Sequence, residues 1–147
     1  MALLGVCLAL AASSAPPVFV PVQSFTLAWT HSIEKVRWEE DYAVAPGATP
    51  GAAPVLQALA ARVRGSAAGM EPPDDARLVN GWYSYTPQIR APRELRLTRS
   101  EFTPDYSWCH NGQCQPLSHW IASDGGVTLL TACREPGLRN PPAMLPR

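Results

Sequence analysis

Apolar and polar positions alternate with a period of two through much of this chain. Phe25, Leu27, Trp29, His31 and Ile33 share one parity against Thr26, Ala28, Thr30 and Ser32, the pattern of a strand with one face buried. The next segment repeats it, with Val36, Trp38, Glu40, Tyr42 and Val44 alternating with Arg37, Glu39, Asp41 and Ala43. Together they predict a first hairpin turning near Glu34 and Lys35. Three dipeptides downstream, Asn80-Gly81, Asn111-Gly112 and Asp124-Gly125, carry hairpin chemistry, because a type I′ turn needs positive φ at both central positions. The flanking segments 78–79, 82–85, 108–110, 113–117, 120–122 and 127–131 have strand length, and Leu95 and Leu97 alternate with Glu94, Arg96 and Thr98.

Between these strands, 46–54 is a loop of proline, glycine and alanine. Only 55–64 admits a helix. Its Leu59, Ala61 and Val63 fit a strand as well, and a strand is expected toward its end. The run GSAAGMEPP at 65–73 is a loop, since glycine and proline punctuate it throughout. From Arg134 onward the prolines predict a flexible tail over 134–147. The expectation is one all-β domain over 23–133, a small antiparallel sandwich or partly open barrel of about eight strands.

Composition narrows the function classes. The 147 residues suit one domain. Twelve basic and twelve acidic side chains cancel, so no net field draws the chain to a nucleic-acid backbone. A hydrophobic content of 46% with five tryptophans excludes a disordered chain.

The first 22 residues carry no charge. Residues 2–12 form an apolar run of the length of a signal-peptide core, and Ser14 offers a cleavage point. Residues 1–14 therefore read as a signal peptide and the protein as exported, facing the periplasm. The rival reading is an N-terminal membrane anchor, whose span of about 20 residues must run through Pro16, Pro17 and Pro21. Of four cysteines, Cys7 falls in the segment expected to be removed. Cys109 and Cys114 face each other across the Asn111-Gly112 hairpin at the pair where side chains are closest, and a disulfide is expected. A zinc site using these thiolates with His110 or His119 is the alternative, at the edge of ligand spacing. Cys133, inside an apolar run, reads as a buried free thiol.

Parity also turns His31 and Glu40 inward. A turn centred between Lys35 and Val36 sets them directly opposite each other. A buried carboxylate without a partner costs several kcal/mol, so Glu40 demands an explanation. Three readings stand: a structural pair, a ligand or metal pocket with Glu34 or Trp29 nearby, or a twist that turns one group to solvent. Ser32 lies on the opposite face from His31, which rules out a nucleophile-base pair. Glu39 and Asp41 fall on the wet face. The loop from Gly65 through Gly69 to Met70 can present backbone N–H groups to an anion, but it lacks the lysine of a phosphate loop. His110, at a hairpin tip, and His119, at a strand start, read as surface histidines. No cofactor motif is present.

The segments HSIEKVRWEEDY (His31 to Tyr42), GSAAGMEPP, GWYSYTP and WCHNGQC together resemble a bacterial family catalogued as domain of unknown function 1850, over roughly 25–133. The family's entering strand maps to His31, Ser32, Ile33, Glu34 and Glu40, and its glycine-rich turn to residues 67–72. The resemblance implies a small exported or membrane-anchored protein, often encoded beside permeases of tripartite solute transporters. Three functions stand as expectations: a non-catalytic periplasmic accessory or small-ligand-binding module, with His31, Ser32, Glu34, Glu40, Gly65, Gly69 and Met70 as its candidate site and a solute or permease component as partner; a metal-assisted hydrolase using His31, Glu34 and Glu40; or a structural subunit of a membrane transport complex.

Overall fold

The computed structural model describes residues 3–30, 35–64 and 76–136. Among the described residues eleven strands and one 3-10 helix follow in order: β1 (Leu4–Leu10), β2 (Val18–Val20), β3 (Ser24–Thr30), β4 (Arg37–Ala45), β5 (Val55–Arg64), β6 (Arg77–Val79), β7 (Trp82–Tyr85), β8 (Leu95–Thr98), β9 (Ser107–His110), β10 (Gln113–Pro116), η1 (Leu117–His119) and β11 (Val127–Arg134). They form two sheets, ordered β2-β1-β11-β8 and β10-β9-β3-β4-β5-β7-β6. Every ladder is antiparallel. The architecture is the expected sandwich, with more strands than foreseen. Its core joins Val6, Leu8 and Leu130 of the smaller sheet to Phe25, Leu27, Tyr42, Leu56 and Trp108 of the larger one.

The apolar run read as a signal peptide is folded into the domain as β1, an inner strand of the smaller sheet, paired along its length with β11. Val6 and Leu8 are fully buried. A short apolar run without charges satisfies an export signal and a doubly covered strand alike. Gly5 has a local reason: a Cβ there would lie 2.2 Å from the Val20 carbonyl oxygen and 3.0 Å from the Phe19 ring. Cys7 bonds to Cys133, so Cys133 is no free thiol. The second disulfide joins Cys109 to Cys114, which are opposed in the β9–β10 hairpin as expected. With both sulfurs bonded to each other, the zinc alternative at this pair falls.

Turn chemistry holds at two of the three dipeptides. Asn80 and Gly81 have φ of 53° and 87°, Asn111 and Gly112 of 53° and 78°, and each closes a two-residue hairpin. Asp124-Gly125 does not. Residues 120–122 are not a strand, because the chain after Pro116 coils into η1 and buries Leu117 completely; His119 sits in that helix, its ring edge-on to Trp120. Asp124 instead caps its own turn, its Oδ1 accepting from the Gly126 N–H at 2.9 Å.

Strand β5 runs the full length of 55–64 and contains a bulge. Its register with β4 shifts at Asp41/Tyr42, so that Ala60 faces Asp41 while Ala58 faces Tyr42. Leu56 and Ala58 point inward before the shift, Ala61 and Val63 after it, and Leu59 is left 44% exposed. One extra residue reverses the parity, which is why no single period fits this segment. The chain at Arg134 is held: its Nη2 donates to the Ala52 carbonyl at 2.8 Å, and the Glu135 N–H donates to Leu3. The ordered domain therefore passes the point where a loose tail was expected. Among the described residues no helix is long and apolar enough to cross a membrane.

Candidate functional site

Across the inner face of the large sheet, one row of opposed residues runs Trp108, Leu27, Glu40, Ala61 and Tyr85. Glu40 is the acid in an otherwise apolar and aromatic row. Alternation along β4 correctly turned it inward. The residue across from it on β3 is Leu27, however, and not His31 as a turn between Lys35 and Val36 requires. The aromatic pairs explain the register: Phe25 stacks on Tyr42 at 5.4 Å and Trp29 on Trp38 at 6.1 Å, and cross-strand pairs of this kind fix which residues meet.

The segment 86–94, linking β7 to β8, is tied to β5 beyond the end of β7. Ala58 N–H donates to the Arg90 carbonyl at 2.7 Å, and Arg90 Nε donates to the Ala58 carbonyl at 3.3 Å. Between this segment and the sheet lies a cleft of about 600 Å³, lined by Glu40, Tyr42, Ala58, Tyr85, Ile89 and Leu95 among others. Tyr42 is buried, and its hydroxyl donates to Glu40 Oε1 at 2.5 Å. Burial pushes the Glu40 carboxyl above the usual carboxylate range, against the pull of that hydrogen bond. Burial and then the Glu40 charge push the hydroxyls of Tyr42 and Tyr85 upward. The Tyr106 hydroxyl is raised too, by burial first and by Glu40 next.

On the opposite face, Glu39 and Asp41 are more than solvated. Arg62 donates from Nε to Glu39 at 2.7 Å and from Nη1 to Asp41 at 2.9 Å, Arg37 adds a bond to Glu39 at 2.8 Å, and Thr26 donates to Asp41 at 2.6 Å. Burial alone would raise both carboxyls, yet these bonds hold them below the usual range. Surface arginines thus neutralise the acids flanking Glu40 in sequence. Among the described residues no arginine or lysine forms an ion pair with Glu40 itself.

Of the other residues singled out from sequence, His31, Ser32, Glu34, Gly65, Gly69 and Met70 lie outside the described residues. Glu40 is therefore the described member of both the ligand-binding set and the hydrolase set. His110 is exposed, its Nδ1 3.1 Å from the Ser24 carbonyl. Among the described residues no group of three His, Cys, Asp or Glu is placed to hold a metal ion.

Sequence reasoning missed two features. Tyr85 follows Tyr83 at strand spacing, and each faces an inward residue of β5, a parity legible in the sequence. The other is an ion pair with a buried arginine. Arg99 shares the parity of Leu95 and Leu97, is 2% exposed, and grips Asp105 with Nε and Nη2 at 3.0 Å each while Nη1 donates to Thr128 at 3.1 Å. Asp105 also accepts the Ser118 and Tyr106 N–H groups. A cavity of about 570 Å³ opens beside this pair, but its guanidinium is already satisfied, so the pair ties η1 to the sheets instead of presenting a charge.

A family model described as "Domain of unknown function (DUF1850)" matches residues 25–117. The chain belongs to that family. The match runs from the second residue of β3 to the first of η1, so it contains all of the seven-stranded sheet but Ser24, together with β8, while β1, β2 and β11 lie outside it. Glu40, Tyr42, Tyr85 and the 86–94 segment all fall within the matched residues. No curated protein and no solved structure matches the chain. The two disulfides point to an oxidising compartment.

Proposed function

We propose that this chain is a non-catalytic small-ligand-binding module of the periplasm that serves as an accessory to solute uptake, with the cleft beside Glu40 as its binding site. The observation that carries the reading is the combination of an open cleft with an inward carboxyl that has no basic ion-pair partner among the described residues. Small-molecule sites are concave, mostly apolar and furnished with few polar groups, and this cleft has that make-up. Its groups do not suit catalysis. The Tyr42 hydroxyl already donates to Glu40 and is held well above the ordinary tyrosine range, so it is a poor nucleophile. The second carboxylate at the cleft, Glu94, is paired with Arg96 at 3.4 Å. Both disulfides suit export, and the transporter association follows from the family resemblance.

The test is a solute screen on the oxidised full chain, read by amide chemical shifts. Shifts clustered at β4, β7 and 86–94, absent in Glu40→Gln, support the reading. A broad screen at millimolar concentration that leaves those residues unmoved overturns it.

A further inference from the structure

Resting on the cleft being a binding site, we infer that its ligand is an organic cation, an ammonium group carried on a compact apolar body. Three observations on one surface converge on that chemistry. The first is the ion-pair pattern along β4. Glu39 and Asp41 each have arginine partners on the outer face, whereas Glu40, the most withdrawn from water of the three, has none among the described residues. A carboxylate drawn out of water without a cation is costly, and the hydroxyl of Tyr42 supplies one hydrogen bond but no charge. The second is the wall. Tyr42 and Tyr85 bring two aromatic rings to the same cleft as Glu40, and aromatic faces attract a desolvated cation. The third is the mouth. Arg96 is the lining residue there that carries a fixed positive charge; its side chain is 60% exposed and turned to Glu94. An anionic solute entering the cleft would meet the charge of Glu40 with no inward cation to offset it. A neutral solute would leave the Glu40 carboxylate uncompensated. An ammonium ion answers both, its N–H groups donating to Glu40 and its apolar body lying against Ile89 and Leu95.

The experiment uses three probes of one shape on the oxidised full chain at pH 8: cyclohexylammonium, cyclohexanol and cyclohexanecarboxylate, each titrated while amide shifts are followed. The expected result is that the ammonium shifts the β4, β7 and 86–94 amides with at least about tenfold higher affinity than the alcohol, and that the carboxylate does not bind. Glu40→Gln should bring the ammonium to the level of the alcohol. Tyr85→Leu, at a position outside the buried core, should weaken the ammonium more than the alcohol and provides a second reading should the Gln variant not fold. If the alcohol or the carboxylate binds the cleft as tightly as the ammonium, the ligand class is wrong while the binding site stands. If none of the three moves these residues and the broad screen also fails, the site itself is wrong.

Discussion

Tyr42 and Glu40, two residues apart on the inner face of β4, are joined by a hydrogen bond of 2.5 Å from the phenol to Oε1 of the carboxyl. The bond lets a carboxyl occupy a row of apolar side chains, but it leaves the cost of ionising that carboxyl largely in place, since burial still raises it above the usual range. The sign of the pH dependence follows. With a folded pKa above the unfolded one, the native state holds this proton over the interval between the two values while the unfolded state has released it. Stability from this group is therefore present below the unfolded pKa, falls as pH rises toward the folded pKa, and stays lower beyond it. Glu40→Gln should melt higher than the parent at pH 8 and show no such advantage at pH 3, a difference that thermal denaturation at the two pH values measures. A variant stabler at neutral pH yet defective in binding is what a site residue yields and a purely structural pair does not.

The acids with arginine partners behave in the opposite sense. Asp105 is held below the usual range because the Arg99 bonds outweigh its burial, so its contribution is present above the unfolded pKa and lost as pH falls through the folded one. Asp105→Asn would leave a guanidinium whose side chain is 1% exposed without its counter-charge. Removing one partner of a fully buried pair costs about 3–5 kcal/mol, and the 23% exposure of the Asp105 side chain places this loss at or below the lower end of that range. Urea denaturation of Asp105→Asn should show a loss of that order at pH 7, and the double variant Arg99→Met, Asp105→Asn should recover much of it. A single variant as stable as the parent would mean that the guanidinium finds water or another acceptor.

How much of this was legible in the sequence depends on which physical signal each feature used. The inward face of Glu40 was legible because alternation is a local property of one strand, and the Asn80 and Asn111 hairpins were legible because positive φ is a local demand. Register is not local: Leu27 faces Glu40 because aromatic pairs on both sides of it stack. The bulge at Leu59 hid β5 behind a broken period. Asp124-Gly125 carries the chemistry of a hairpin but follows a segment that coils to bury Leu117. The cleft needed the 86–94 segment to return to Ala58 through one backbone hydrogen bond and one from the Arg90 side chain, a long-range contact that the alternation of apolar and polar positions does not encode.

The two disulfides should contribute unequally. Cys7 and Cys133 are 126 residues apart in sequence, Cys109 and Cys114 only 5. On the chain-entropy model, closing the long loop is worth about 5 kcal/mol and closing the short one about 2 kcal/mol. The paired replacement Cys7→Ala, Cys133→Ala should therefore lower the urea midpoint by more than twice as much as Cys109→Ala, Cys114→Ala. Equal losses would show that the long bridge constrains an unfolded chain already compact at its ends.

The same bridge makes the N-terminal segment a matter of stability and not only of targeting. Strand β1 separates β2 from β11 in the smaller sheet, so removing it leaves β2 without a neighbour and the inner residue Leu130 without its cross-strand partner Leu8. Leu8 is fully buried, and truncating a buried leucine to alanine costs about 2–5 kcal/mol. Leu8→Ala should fall in that range by urea denaturation, and a chain begun at Ala15 should lose far more, giving poorly dispersed amide resonances and a thiol at Cys133 that reacts with a thiol reagent. Cleavage at Ser14 during export would produce that weakened chain. The folded protein recovered from an oxidising compartment is therefore expected to retain β1 and to show no reactive thiol, which intact mass before and after alkylation determines. Recovery of a stable, well-folded chain beginning at Ala15 would remove β1 from the domain and support the reading of that run as an export signal.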